Sequence, residues 1–177
     1  MINMVKLPTN KSSLFLRVAK GHFATSHSHI NYYIDVTTQK ARLSEAKAVA
    51  KDGFANMNAH QTIYVITPEY TSGSQIILRD NLAPMVRGKH VLILSASITT
   101  GYTVQAAIEA VNYYGGTVAG LSAIFATTHE CLGIPVTSIF DPSSLPDYAS
   151  FDSRDCPMCK AGQHIDALVN SFGYSAL

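Results

Sequence analysis

The stretch HVLILSASITTGYT, His90 to Thr103, is the one whose reading decides the fold. Its apolar part, Val91 to Leu94, runs without alternation, as a strand does when both of its faces are covered. Small hydroxylated residues follow from Ser95 to Tyr102, and a helix is predicted from about Thr103. A strand that ends in such a loop and feeds a helix puts the loop at the carboxyl edge of an open sheet, where ligands bind. The unpaired N–H groups of a helix start attract anions, and Gly101 allows the backbone to come close to one. Ser97, Thr99, Thr100 and Thr103 add hydroxyl donors around it. A bound phosphate is one reading of this loop. An ordinary strand-to-helix turn rich in Ser and Thr is the other.

Working outward, Val104, Ala107, Ile108 and Val111 recur at i, i+3, i+4 and i+7, which predicts a helix with one apolar face. Gly115 and Gly116 supply its stop. Thr117 to Ala126 and Val136 to Phe140 read as buried strands, and Thr62 to Thr67 and Gln75 to Leu78 as strands on the other side, separated by a turn at Thr71 to Ser74. Strands alternating with a helix predict an α/β fold with a parallel sheet and helices on both faces. Nearer the N-terminus, Ser12 and Ser13 before Leu14 to Ala19 predict a short capped helix, Gly21 to Asn31 a loop, NYYID (Asn31 to Asp35) a strand, and Ser44 to Lys51 a helix. Leu145 to Arg154 reads as a polar connection. The spacing of Ile165, Leu168, Val169 and Phe172 predicts one last packed helix. Residues 1–177 are expected to form a single domain, with 30–60 as a substrate-side segment and 150–177 as a tail.

Composition narrows the function classes. Of 177 residues, 47% are hydrophobic and 14% charged, the latter well below the usual share of about 25%, so a disordered chain is excluded. A net charge of +1 with no basic stripe argues against a nucleic-acid partner. No apolar run approaches the roughly 18–20 residues of a spanning helix, which argues against a membrane partner. Met1 to Asn10 lacks the apolar core of an export signal, and three cysteines make no disulfide framework, so a reduced, cytoplasmic protein is expected.

ITTGYT (Ile98 to Thr103), following its buried strand, resembles the 5′-phosphate loop of the type I phosphoribosyltransferases. TSHSHINYYID (Thr25 to Asp35) resembles the early substrate-side segment of orotate phosphoribosyltransferases, and CPMCKAG (Cys156 to Gly162) the C-terminal segment of some orotate phosphoribosyltransferase-like proteins. The resemblance implies a Rossmann-like parallel-sheet core. It also implies an enzyme that binds phosphoribosyl pyrophosphate with Mg²⁺, expels pyrophosphate and joins C1 of the ribose to a nitrogen of a base such as orotate. It assigns the phosphate to Ser97, Ile98, Thr99, Thr100, Gly101, Tyr102 and Thr103, the ribose side to Ser95 and Ala96, and the base side to Ser26, Ser28, Tyr32 and Tyr33. A homodimer is the family's habit.

Three departures stand against that pattern. The adjacent acids that grip the ribose in the family are replaced by Ser95 and Ala96. The pyrophosphate-covering lysines are missing between Gln61 and Val86, which leaves Arg79, Arg87 and Lys89 as the candidates there. Only Asp52 to His60 separates the early helix from the next strand, too short for a strand–helix pair, which needs at least about 10–12 residues. With the acids gone, the second reading is a protein of the same fold that binds a nucleotide or sugar phosphate without turning it over.

Cys156 and Cys159 form a C-x-x-C with His164 five residues on, a plausible partial zinc set that needs a fourth ligand, for which His129 or Cys131 are the candidates. His22, His27 and His29 also cluster in sequence, and within a loop they read as polar loop residues. Asp141 and Asp147 flank prolines and read as turn formers, and Glu69 as a surface carboxylate.

Overall fold

The structure, a computed structural model, describes residues 2–8, 14–37, 43–53, 63–66, 71–72, 75–145, 147–170 and 173–177. In chain order its strands are β1 (Val5–Pro8), β2 (Phe15–Ala24), β3 (His29–Asp35), β4 (Ile63–Ile66), β5 (Thr71–Ser72), β6 (Gln75–Ile76) and β7 (His90–Ile98). They continue as β8 (Thr117–Ala126), β9 (Glu130–Cys131), β10 (Ile134–Phe140), β11 (Ser150–Phe151), β12 (Ala167–Asn170) and β13 (Gly173–Ala176). Helices span Leu43–Gly53, Ala83–Val86, Tyr102–Tyr113 and Pro157–Lys160. Two compact units result, one of Gly53–Ile139 and one of Met1–Asp52 with Phe140–Leu177.

The unit Gly53–Ile139 holds a sheet in the order β4-β7-β8-β10-β9. β4 and β8 flank β7 in parallel, with Val91 opposite Tyr64 and Val118. The helix Tyr102–Tyr113 is the crossover between β7 and β8. Its predicted apolar face is what it buries: Val104, Ala107, Ile108 and Val111 pack with Val91, Ile93, Ile98, Leu121 and Ala123. Leu92, Ile124 and Phe125 are buried outside that cluster, as expected of strands covered on both faces. The helix ends where the glycines stand. Gly115 takes a left-handed φ of 78°, and the Gly116 N–H returns to the Val111 carbonyl. The parallel pairing of β4, β7 and β8 with its crossover helix is therefore as the sequence predicts, with β7 running four residues beyond Leu94 and the helix starting one residue early. Gln75–Ile76, by contrast, pairs antiparallel with Thr71–Ser72, where a turn is predicted.

The other unit is built on a sheet of order β11-β3-β2-β12-β13, with β1 also paired to β2. Here three expectations are corrected. The segment Leu14 to Ala19, predicted as a helix, runs into strand β2, because its apolar residues alternate with period two: Leu14, Leu16 and Val18 are buried while Phe15 is exposed. The predicted loop from Gly21 to Asn31 is the end of β2, a tight turn and the start of β3, so the segment is a hairpin. The predicted C-terminal helix is the hairpin β12–β13, in which Ala167 and Val169 point inward and Leu168 out. β12 lies parallel to β2, with Ala167 opposite Phe23. The predicted strand NYYID and the helix at Ser44 to Lys51 are present within β3 and Leu43–Gly53.

Ser12, Ser13, Glu69, Phe172 and the stretch 54–62 lie outside the described residues. Among the described residues no helix is long and apolar enough to cross a membrane.

Candidate functional site

The loop after β7 is placed by two neighbours. The Thr127 N–H donates to the Ile98 carbonyl at 2.9 Å, and the Thr127 hydroxyl donates to the Thr99 carbonyl at 2.8 Å. These bonds hold the strand end and the first loop residue to the end of β8. Gly101 then takes φ 79°, the left-handed conformation that only glycine adopts without cost, and acts as the N-cap of Tyr102–Tyr113. Among the described residues no side chain caps this helix, and no acidic residue stands in its first turn. The positive end of its dipole therefore receives no counter-charge from the helix's own first turn. Ser97, Thr100, Tyr102 and Thr103 are exposed, Thr99 and Gly101 half-buried, and Ile98 is buried and anchors the turn from below.

Ser95 and Ala96 sit on β7 itself, Ser95 opposite Ala123. The Ser95 hydroxyl donates to the Ser97 carbonyl at 2.9 Å. From Ser95 to Thr103 there is no carboxylate, so this segment lacks the acidic oxygens by which proteins hold Mg²⁺, and it does not by itself fit that ion.

Arg87 and Lys89 do not join this site. They precede the first residue of β7, and the loop follows its last. Nine strand residues at about 3.3 Å each put roughly 30 Å between Lys89 and Thr99. Arg87 instead lines a cavity of about 600 Å³ with Asp80, Ala83, Pro84, Tyr113 and Tyr114 at that far edge. Arg79 lies in the turn whose carbonyl receives the Leu82 and Ala83 N–H groups, just before the same short helix.

The base-side residues fall in the other unit. Ser26 and Ser28 belong to the turn between β2 and β3, which Thr25 closes. Its hydroxyl accepts the Ser28 N–H at 2.8 Å, and its own N–H donates to the Ser28 carbonyl at 2.8 Å. Ser26 is exposed and Ser28 buried. Tyr32 is half-buried with the Lys20 ammonium 5.6 Å from its ring centre. Tyr33, by contrast, is a core residue at 5% exposure, packed edge-on to Tyr174 at 5.4 Å and against Phe23. Burial raises its phenol pKa.

The cysteine pair meets other histidines than the sequence proposes. His22 and His29 converge on Cys156 and Cys159, whereas His164 offers only its backbone carbonyl, 3.2 Å from His22 Nδ1. His129 and Cys131 lie in the unit Gly53–Ile139 and have no part in the cluster. Two residues flanking a four-residue turn were the available signal, and it was hidden by reading the turn as part of a longer loop. Thr127, the residue that holds the Ile98 and Thr99 carbonyls, carries no sequence signal at all.

No family model matches the chain. It is 33% identical over 75 residues to an orotate phosphoribosyltransferase of Pelotomaculum thermopropionicum, a match covering 42% of this chain and little more than a third, 38%, of that enzyme. Among solved structures it is similar to the UMP synthase of Leishmania donovani, with a TM-score of 0.55 at 16% identity over 73% of this chain and 34% of that one. It is also similar to the adenine phosphoribosyl transferase of Trypanosoma brucei, solved with AMP, pyrophosphate and ribose-5-phosphate, with a TM-score of 0.50 at 12% identity over 77% of this chain and 80% of that one. A parallel sheet in which β7 feeds a helix through TTG, in a chain whose fold is similar to that of these enzymes, gives this protein the fold of the phosphoribosyltransferases.

Proposed function

We propose that the protein transfers the phosphoribosyl group of phosphoribosyl pyrophosphate to a nucleobase such as orotate, as a cytoplasmic homodimer. The observation that carries this reading is the uncapped start of Tyr102–Tyr113, reached through left-handed Gly101 and ringed by Thr99, Thr100 and Thr103. A 5′-phosphate placed there receives backbone N–H groups and hydroxyls from a segment, 95–103, that carries no carboxylate of its own. The partial likeness to an orotate phosphoribosyltransferase supports the choice of base. Ser26, Ser28 and Tyr32 are the residues proposed for the base side, with Tyr33 supporting them from the core.

A second reading is favoured by Ser95 and Ala96. The transfer builds positive charge on the ribose, and losing one preorganised polar contact at a transition state costs about 10²–10³ in rate. A chain with neither acid is suited to bind a nucleotide or sugar phosphate and hold it unreacted.

Calorimetric titration with phosphoribosyl pyrophosphate, with and without Mg²⁺, followed by a pyrophosphate-release assay with orotate and other bases, separates these. Binding with release establishes the transferase. Binding without release establishes the sensor, and in that case Ser95→Asp with Ala96→Asp should increase the Mg²⁺ dependence of binding. A folded protein that does not bind, or in which Gly101→Glu binds as well as the parent, overturns both.

A further inference from the structure

The cluster of His22, His29, Cys156 and Cys159 is a site of its own, independent of the phosphate loop. Its construction begins with an irregularity in β2. Between Lys20, opposite Tyr32, and Phe23, opposite Ile30, β2 carries one residue more than β3. Such a bulge turns a side chain out of the alternation, and here it aims His22 inward to complete burial. The backbone groups displaced from the ladder are taken up by Asp166. Its carboxylate accepts the His22 N–H at 2.7 Å, and its own N–H donates to the His22 carbonyl at 2.7 Å. Gly21 is needed for this approach, since a Cβ there would stand 2.6 Å from the Asp166 carboxylate.

The imidazole is oriented as a ligand is. His22 Nδ1 faces two carbonyl oxygens, of Gln163 at 3.0 Å and His164 at 3.2 Å, so Nδ1 carries the proton and Nε2 the lone pair. Nε2 then points at three further electron-pair donors: His29 Nδ1 at 3.1 Å, Cys156 Sγ at 3.6 Å and Cys159 Sγ at 3.6 Å. His29 Nδ1 and Cys159 Sγ are 3.2 Å apart, and all four ligand atoms lie within 4.8 Å of one another. A tetrahedron with Zn–N near 2.05 Å and Zn–S near 2.3 Å has edges of about 3.4 Å between nitrogens and about 3.6 Å between nitrogen and sulfur. The three separations from His22 Nε2 and the one between His29 Nδ1 and Cys159 Sγ match those edges to within a few tenths of an ångström. As thiols the two cysteines can each donate to an imidazole nitrogen, whereas as thiolates they leave four electron-pair donors pointing at one centre, which one cation satisfies.

We propose that these four side chains bind a structural Zn²⁺. Two thiolates balance the charge of the ion, so the filled site is neutral and its burial carries no uncompensated charge. An S₂N₂ tetrahedral set selects zinc among common divalent ions, and four protein ligands leave no position for a reacting water. Cys159, exposed at the surface, gives the ion its entry path. The site ties the β2–β3 hairpin to the C-terminal segment at the point where β12 joins β2.

The test is metal analysis of the purified, reduced full-length chain, followed by removal of the metal and titration with Co²⁺. One equivalent of zinc per chain is expected, replaced by one equivalent of cobalt showing tetrahedral ligand-field bands and thiolate charge-transfer absorption. Cys159→Ser and His29→Gln should lose the stoichiometric metal, and His164→Ala should keep it. Cys159 and His29 lie nearer the surface than Cys156 and His22. If their variants nevertheless fail to fold, loss of the charge-transfer band on alkylating the metal-free parent serves in their place. A folded, reduced parent that takes up no cobalt overturns the proposal. So does a Cys156–Cys159 disulfide in the protein as isolated, or metal lost with His164→Ala and retained with His29→Gln.

Discussion

Gly101 and Gly21 show two different reasons for a glycine. At Gly101 the reason is the backbone: φ is 79°, and the nearest atom to an added Cβ is Cys131 Sγ at an ordinary 3.7 Å. Gly101→Ala should therefore cost only the left-handed penalty, about 1 kcal/mol. At Gly21 the reason is space, because a Cβ would meet the Asp166 carboxylate at 2.6 Å and the Phe23 ring at 2.9 Å. Gly21→Ala must displace Asp166 from the His22 N–H, and should cost about 1–3 kcal/mol as overpacking does. Urea denaturation of the two variants side by side checks this, with Gly21→Ala expected to be the worse. Equal losses would mean that Asp166 moves aside freely. The first of these glycines stands out in sequence as a point of close backbone approach between a strand and a helix start, and the structure adds its left-handed φ. The second is not, because Asp166 is 145 positions away and nothing local marks its approach.

The helix Tyr102–Tyr113 and the strand β2 differ in how far their own residues define them. The helix declares itself by period, and its buried and exposed faces follow. Ile108→Ala, at a site 4% exposed in the core cluster, should cost about 2–5 kcal/mol. Tyr113→Ala, at 84% exposure, should stay within about 0.5 kcal/mol of the parent. Thermal melts of both variants test the assigned face directly. β2 has no such declaration. SSLFLRVA admits a capped helix as readily as a strand, and Leu16, Phe15 and Val18 fit either until neighbours are present. What makes it a strand is β3 on one side and β1 and β12 on the other, with Arg17 directly opposite Asp35 and their charges 3.4 Å apart. Propensity is a weak prior that such pairing overrides.

For the whole molecule, the metal proposal has a spatial consequence. All four ligands belong to the unit of Met1–Asp52 with Phe140–Leu177. Stripping zinc from the folded protein should therefore raise amide hydrogen exchange in β2, β3 and β12, while the helix Tyr102–Tyr113 and strand β7 keep their protection. Uniform loss across both units, measured by mass spectrometry, would contradict a local role. The sequence by itself determined strand β7 and the helix that follows it, because both arise from contiguous residues: a continuous apolar run and a helical period. Only the tertiary structure decided that Tyr33 is core and that the C-terminal residues add a strand to β2. It alone joined His22 and His29 to cysteines more than 120 positions distant. Such meetings depend on strand pairing and on one bulge, and pairing between remote segments leaves no period in either of them for a reader to find.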